Sequence, residues 1–228
     1  MTKNRDDPES GILRVFQSKD QIRAYYNKIA RAYDLLSERT EQPMREKGLA
    51  RLAAKTGEKI LEVGFGTGHC LVELARAVGP TGRVHGIDIS DAMVSLSRKL
   101  LKKADLAGRV ELVCGDAERM PYPDGSLDGI ITSFTLELFD TPAIPVVLAE
   151  CRRVLRSGGR LVVVALSKEG KQGLMLKAYE WTHEHFPNLM DCRPIYARRA
   201  IEAAGFGVEA TEIEYMWVPV EIVLAVKP

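Results

Sequence analysis

Closely spaced cysteines are missing from this chain. Its four cysteines stand at 70, 114, 151 and 192, with no CxxC pair, which disfavours structural zinc and a thioredoxin-like centre, and no metal is expected. Dispersed thiols of this kind fit a reduced, cytoplasmic setting. Long apolar runs are lacking as well. The longest, Leu161–Leu166, falls far short of the roughly 20 residues that a bilayer-spanning helix requires. The opening MTKNRDDPES is polar and carries acids, unlike a signal peptide. Nor does one sign of charge dominate: 32 basic and 31 acidic residues leave a net charge of +1. No global field therefore draws nucleic acid or an anionic membrane. What is present is the composition of a soluble globular protein, 46% hydrophobic and 28% charged over 228 residues, ample for a buried core.

Periodicity divides the chain into a flexible arm (1–17), a helical cap (18–56) and a main domain (57–228). In the cap, Ile22, Tyr25, Tyr26, Ile29, Ala30 and Tyr33 share one side of a helix running from about Lys19 to Glu38. Pro43, a favoured first-turn residue, predicts a second helix to Lys55, stopped by Gly57. From there strands and helices alternate. LEV (61–63), RVHGID (83–88), RVELVC (109–114), LDGIITS (127–133) and RLVVVAL (160–166) read as strands. Between them lie HCLVELARAV, then a helix capped by Ser90 with Met93, Leu96, Leu100 and Ala104 inward, and a helix from Pro145 to Arg156. This alternation predicts an α/β fold, a doubly wound and mostly parallel sheet with right-handed crossovers. Past a helix at 195–204, VEATEIEYMW and VEIVLAV are joined too closely for a crossover, so they predict an antiparallel C-terminal hairpin.

The stretch ILEVGFGTGHC (60–70) carries the chemistry. Glycines at 64, 66 and 68 after a strand let backbone approach a ligand. A phosphate loop would continue with GK[ST], and a dinucleotide loop would place a small residue at 69; this chain has His69-Cys70. No lysine or arginine lies between 60 and 75 to neutralise a pyrophosphate. Glu62 at the strand's mouth repels phosphate and suits an amine. Asp88 closes the second strand, where a carboxylate accepts from ribose hydroxyls. Asp116 follows the third and suits an adenine amino group. The ligand so described has an amine, a ribose and an adenine without phosphate, and S-adenosylmethionine (SAM) meets it.

LEVGFGTG, HGIDIS, VCGDAERMPYPDGSLDGIITS and LRSGGRLVVV resemble the successive signature blocks of Rossmann-like class I SAM-dependent methyltransferases. YNKIARAYD (26–34) is similar to the N-terminal segment of small-molecule members, the ubiquinone/menaquinone-biosynthesis C-methyltransferases in particular, where it folds over the cofactor. The resemblance implies a seven-stranded sheet of order 3-2-1-4-5-7-6, with SAM as methyl donor and S-adenosylhomocysteine as product. It implies a cofactor site of Tyr26 and Tyr33 (lid), Glu62, Gly64, Phe65, Gly66 and Gly68 (methionine end), Asp88 (ribose), Ile89 and Met93 (flanking the adenine), Asp116 and Ala117 (adenine edge), and Ser133 with Phe134 (beside the transferred methyl). From the residues alone, Tyr26 and Tyr33 also read as core packing.

Quinone-specific members often carry an Arg-Asn pair after strand four, where this chain has SFTLELF (133–139). The Asp/Asn-Pro-Pro-Tyr motif of many nucleic-acid amino-methyltransferases is missing there too. The expected acceptor is a small or lipid-like molecule. Phospholipid N-methylation and RNA methylation are the alternatives; outside the class stand an NAD(P)-dependent oxidoreductase and a non-catalytic SAM-binding protein. Peripheral membrane contact, and a monomer or homodimer, fit equally. Candidate general bases are His183 and His185 in YEWTHEHF, which also read as a solvated helix face, and Glu137, which also reads as the start of a short helix. Arg193 suits either an anionic substrate or a surface acid. Helix 173–186 lines a pocket, touches lipid or packs in the core.

Overall fold

The run LVVVAL, residues 161–166, is enclosed along its whole length, as a strand covered on both faces must be. The computed structural model describes residues 12, 14, 15, 17–169 and 192–228, apart from the side chains of 31–39. In chain order its main elements are α1 (Lys19–Leu52), β1 (Lys59–Val63), α2 (His69–Ala77), β2 (Arg83–Asp88), α3 (Asp91–Lys103), β3 (Val110–Cys114), β4 (Leu127–Ser133), α4 (Ile144–Val154), β5 (Leu155–Leu166), α5 (Ala197–Ala203), β6 (Gly207–Tyr215) and β7 (Pro219–Val226).

The strands form one seven-stranded sheet in the order 3-2-1-4-5-7-6. β1 pairs in parallel with β2 and β4, while β7 runs antiparallel between β5 and β6. This is the fold class and strand order expected from the sequence. Alternation along each strand splits the interior into two cores. Ile60, Ile131, Val162 and Val164 meet Leu52 of α1 with Leu71 and Leu74 of α2. Leu61, Ile130, Leu161 and Val163 meet Leu148 and Val154 of α4 with Ile201 of α5. Each such side chain contributes roughly 1.5–3 kcal/mol on burial.

The structure differs from the sequence reading at three places. Lys19–Leu52 is one helix of 34 residues with Pro43 inside it, rather than two helices. An interior proline removes a hydrogen bond and strains the helix by about 3 kcal/mol, but the segment beyond it is held down. Met44 and Leu52 are buried, and a Cβ on Gly48 would lie 2.6 Å from Val164, so α1 rests directly on the sheet. In α3 the buried face is Met93, Val94, Ser97 and Leu101, with Leu96, Leu100 and Ala104 half-buried beside it; the helix is turned to bring Ser97 onto the glycine loop. α4 stops at Val154 because Leu155 already pairs with Leu127 in the sheet.

Candidate active site

The glycine loop leaves the C-terminal end of β1, and the sheet shapes it. Gly64 N–H donates to the Ile87 carbonyl of β2 at 2.8 Å, and Gly66 N–H donates to Asp88 Oδ2 at 2.9 Å. Gly64 and Gly68 hold φ of +70° and +92°, in the left-handed region that favours glycine. A Cβ at Gly64 would sit 2.2 Å from Thr135, and one at Gly68 2.6 Å from Ser97 Oγ. Ser97 Oγ donates to the Gly66 carbonyl at 2.9 Å, which fixes the loop from beneath. Phe134, just past β4, is a non-glycine residue with φ +52°, the kind of outlier that collects at functional sites.

Three acids from successive strand ends face the same cavity. Glu62 of β1 is 3% exposed, and its Oε2 has no partner among the described residues. Burial pushes its carboxyl up to about 8, opposed by the nearby Arg45 charge and by a hydrogen bond with the Cys70 thiol. Asp88 ends β2; besides Gly66 it accepts from Ser90 N–H at 2.9 Å. Burial raises its carboxyl to about 6, against the pull of these two backbone donors. Asp116, beyond β3, accepts from Glu118 N–H at 3.0 Å and from Lys19 Nζ at 2.5 Å. Ser133 Oγ, at the end of β4, is enclosed with no partner among the described residues.

The other walls come from further away. Leu138, Phe139, Asp140 and Ala143 of the segment after β4 line the cavity together with Val15 and Ile22 of the N-terminal segment. Arg14 grips Asp140 with two bonds of 2.8 and 2.6 Å, and Val15 N–H adds a third at 3.0 Å. The guanidinium beside it, with backbone donors, holds the Asp140 carboxyl down at about 2. Lys19 bridges Asp116 and Glu118, and Arg23 reaches Asp91. The N-terminal segment thus touches carboxylates that follow β2, β3 and β4.

The family model described as "Methyltransferase domain" matches residues 60–159, from within β1 to within β5. The ubiquinone/menaquinone biosynthesis C-methyltransferase UbiE of Pseudomonas putida is 31% identical over 185 residues, covering 77% of this chain and 67% of that protein. A demethylmenaquinone methyltransferase of a Geobacillus species is 33% identical over 159 residues, covering 68% of this chain and 67% of its own length. Among solved structures, a SAM dependent methyltransferase from Aquifex aeolicus superposes with a TM-score of 0.67 at 25% identity, covering 89% of this chain and 98% of that one. The chain belongs to the SAM-dependent methyltransferases.

In this methyltransferase the residues predicted from sequence converge on one cavity. Tyr26, Glu62, Gly64, Phe65, Gly66, Asp88, Ile89, Met93, Asp116, Ala117, Ser133 and Phe134 all line it. Gly68 does not; it is spent on the close approach of α2 to Ser97. The side chain of Tyr33, and His183, His185 and helix 173–186, lie outside the described residues. Glu137 stands in a 3₁₀ turn (Leu136–Leu138) and is fully buried away from the cavity lining. Its Oε1 accepts from Leu166 N–H at 3.0 Å, and burial lifts its carboxyl to about 8. Arg193 does not stand at the surface. It is 0% exposed, donating to the Glu137 carbonyl at 2.5 Å and to Thr141 Oγ1 at 3.3 Å, so it carries the turn that leads into the cavity wall. Sequence reasoning missed Arg45, Val15, Lys19 and the Leu138–Ala143 wall. A Glu-Arg pair at i,i+4 (Glu41, Arg45) was the one local signal, and it reads as an ordinary surface pair.

Proposed function

We propose that this methyltransferase acts on a small, lipid-like acceptor, methylated at an atom held beside Ser133 and Phe134. The observation that carries this reading is the apolar wall of Leu138, Phe139, Ala143, Val15 and Ile22. Its single acid, Asp140, is fully engaged by Arg14, Val15 N–H and Thr141 N–H. An acceptor entering there meets hydrocarbon and no uncommitted charge. The residues of the cavity fit SAM: the orphaned Glu62 Oε2 suits its ammonium, Asp88 its ribose hydroxyls, and Asp116 its adenine amino group. Tyr26 and Met93 would close over the ring system.

When bound, SAM supplies an activated methyl group, which leaves its sulfur as the acceptor forms the new bond in line. The chain's part is to hold the two partners close and aligned, which supplies up to roughly 7–11 kcal/mol in favourable cases. Residues 18–56 act as the cap, with Tyr26 on the cavity, over a catalytic domain at 57–228. The four free cysteines support a cytoplasmic setting.

The test is transfer of a labelled methyl group from SAM to a panel of hydroquinones, isoprenoid lipids, phospholipids, soluble amines and RNA. Label is expected in the organic extract, from a lipid-like compound. Label confined to RNA or to water-soluble amines would sink the acceptor reading.

A further inference from the structure

Asn27 of α1 stands one residue past Tyr26, which lines the cavity. Its Oδ1 accepts from two donors at the turn between β2 and α3: Ser90 Oγ at 2.7 Å and Ala92 N–H at 3.1 Å. Ser90 is 0% exposed and caps α3 by accepting from Met93 N–H at 3.2 Å. Its own hydroxyl proton therefore needs an acceptor, and among the described residues Asn27 supplies it. Ser90 N–H in turn donates to Asp88 Oδ1 at 2.9 Å, while Asp88 Oδ2 takes Gly66 N–H at 2.9 Å. One continuous run of hydrogen bonds thus joins the cap helix to the carboxylate at the end of β2 and to the glycine loop.

Helix capping alone does not account for this arrangement. α3 carries its own N-cap in Ser90, and Arg23, one turn earlier on α1, already ties the two helices together through Asp91. That ion pair is exposed on both sides, so water and salt weaken it. Asn27 differs in what it holds. Ser90 is enclosed, and losing its acceptor leaves a buried hydroxyl unmatched in the turn that fixes Asp88. A carboxylate can take two neighbouring hydroxyls only if both its oxygens are held in place, and here each is held by one N–H group. We propose that Asn27 is a positioning residue for the ribose of the methyl donor. It sets Asp88 through Ser90, and so links the seating of the ribose to the seating of the cap. This rests on the reading of Asp88 as the acceptor of the ribose hydroxyls.

Calorimetry on the full chain with two probes tests it: S-adenosylhomocysteine and its 2′,3′-dideoxy analogue, which lacks both ribose hydroxyls. The wild-type protein is expected to prefer the parent compound. Asn27→Ala is expected to weaken S-adenosylhomocysteine roughly 3–10-fold, the range of one hydrogen bond, and to leave the analogue within about twofold of its wild-type affinity. Asn27→Asp keeps an acceptor oxygen in the same place, beside the first turn of α3 where negative charge is favoured, and should restore S-adenosylhomocysteine binding. Unchanged S-adenosylhomocysteine binding in Asn27→Ala overturns the inference alone. An equal loss for both probes does the same, because a purely structural strut would affect them alike, and so does a failure of Asn27→Asp to recover binding. Equal wild-type affinity for the two probes overturns the ribose reading of Asp88 together with this one. A wild-type protein that binds neither overturns the methyl-donor reading of the cavity as well.

Discussion

Gly64 and Gly66 share a loop and a positive φ, +70° and +52°, yet an added methyl group would meet different surroundings. At Gly64 it would collide with the Thr135 side chain, whereas at Gly66 nothing lies within 4 Å. Gly66→Ala should cost only the left-handed backbone penalty, about 1–2 kcal/mol. Gly64→Ala should add an overpacking cost of roughly 1–3 kcal/mol. Urea unfolding of the two variants checks this, and equal midpoints would count against it. A second prediction concerns Glu137, whose carboxyl ionises near 8 in the folded chain against an ordinary 4.5. Folding favours the neutral form, so this stabilisation is complete below about pH 4.5 and is lost as pH rises through about 8. Wild-type thermal stability should fall across that window with a steeper slope than that of Glu137→Gln, which keeps the raised acids Glu62 and Asp88. Parallel pH profiles for the two proteins would refute the buried neutral acid. At this scale the sequence was most legible where one residue type has one physical use. A carboxylate at a strand end beside glycines is such a case, and Glu62, Asp88 and Asp116 all reach the cavity. Arg193 and Glu137 were illegible because their partners, Thr141 and Leu166, become neighbours only once the chain folds.

Among the elements, α1 shows tertiary structure overriding a local rule. Pro43 predicts a helix start, and the helix runs through it because Met44, Gly48 and Leu52 press on the sheet. Replacing that proline should relieve strain without touching a contact. Pro43→Ala is expected to raise stability by about 1–3 kcal/mol, read as an upward shift in thermal midpoint. An unchanged or lowered midpoint would mean that proline fits this helix without strain. Conversely, Gly48→Leu should push α1 off Val164 and lower the midpoint. The strands were read well, since period-two burial and crossover length fix their direction. The rotation of α3 was not, because Ser97 faces inward to meet a glycine carbonyl, a contact that hydrophobic periodicity does not register.

Over the whole molecule, the N-terminal segment is tied to the rim by exposed ion pairs at Arg14, Lys19 and Arg23. Each is worth about 0–1 kcal/mol and is weakened by salt. Trypsin should therefore cut after Arg14, Lys19 and Arg23 faster in about 0.5 M salt than in about 0.05 M, while the sheet domain stays intact; mass spectrometry of the fragments would show it. Salt-independent cutting would mean that apolar contacts of Val15, which is 6% exposed, hold the segment instead. The sheet order has a further consequence, for biosynthesis. β7 is made after the other six strands, yet it inserts between β5 and β6 and pairs with β5 from Arg160 to Leu166. Until residues 219–226 have left the ribosome, the apolar run LVVVAL of β5 has one bare edge, open to pairing with a neighbouring chain. Translation can build the cofactor half of the sheet early, but the fold is sealed only by its last-made strand. Any stall between residues 166 and 219 leaves a finished glycine loop on a nascent chain prone to aggregate.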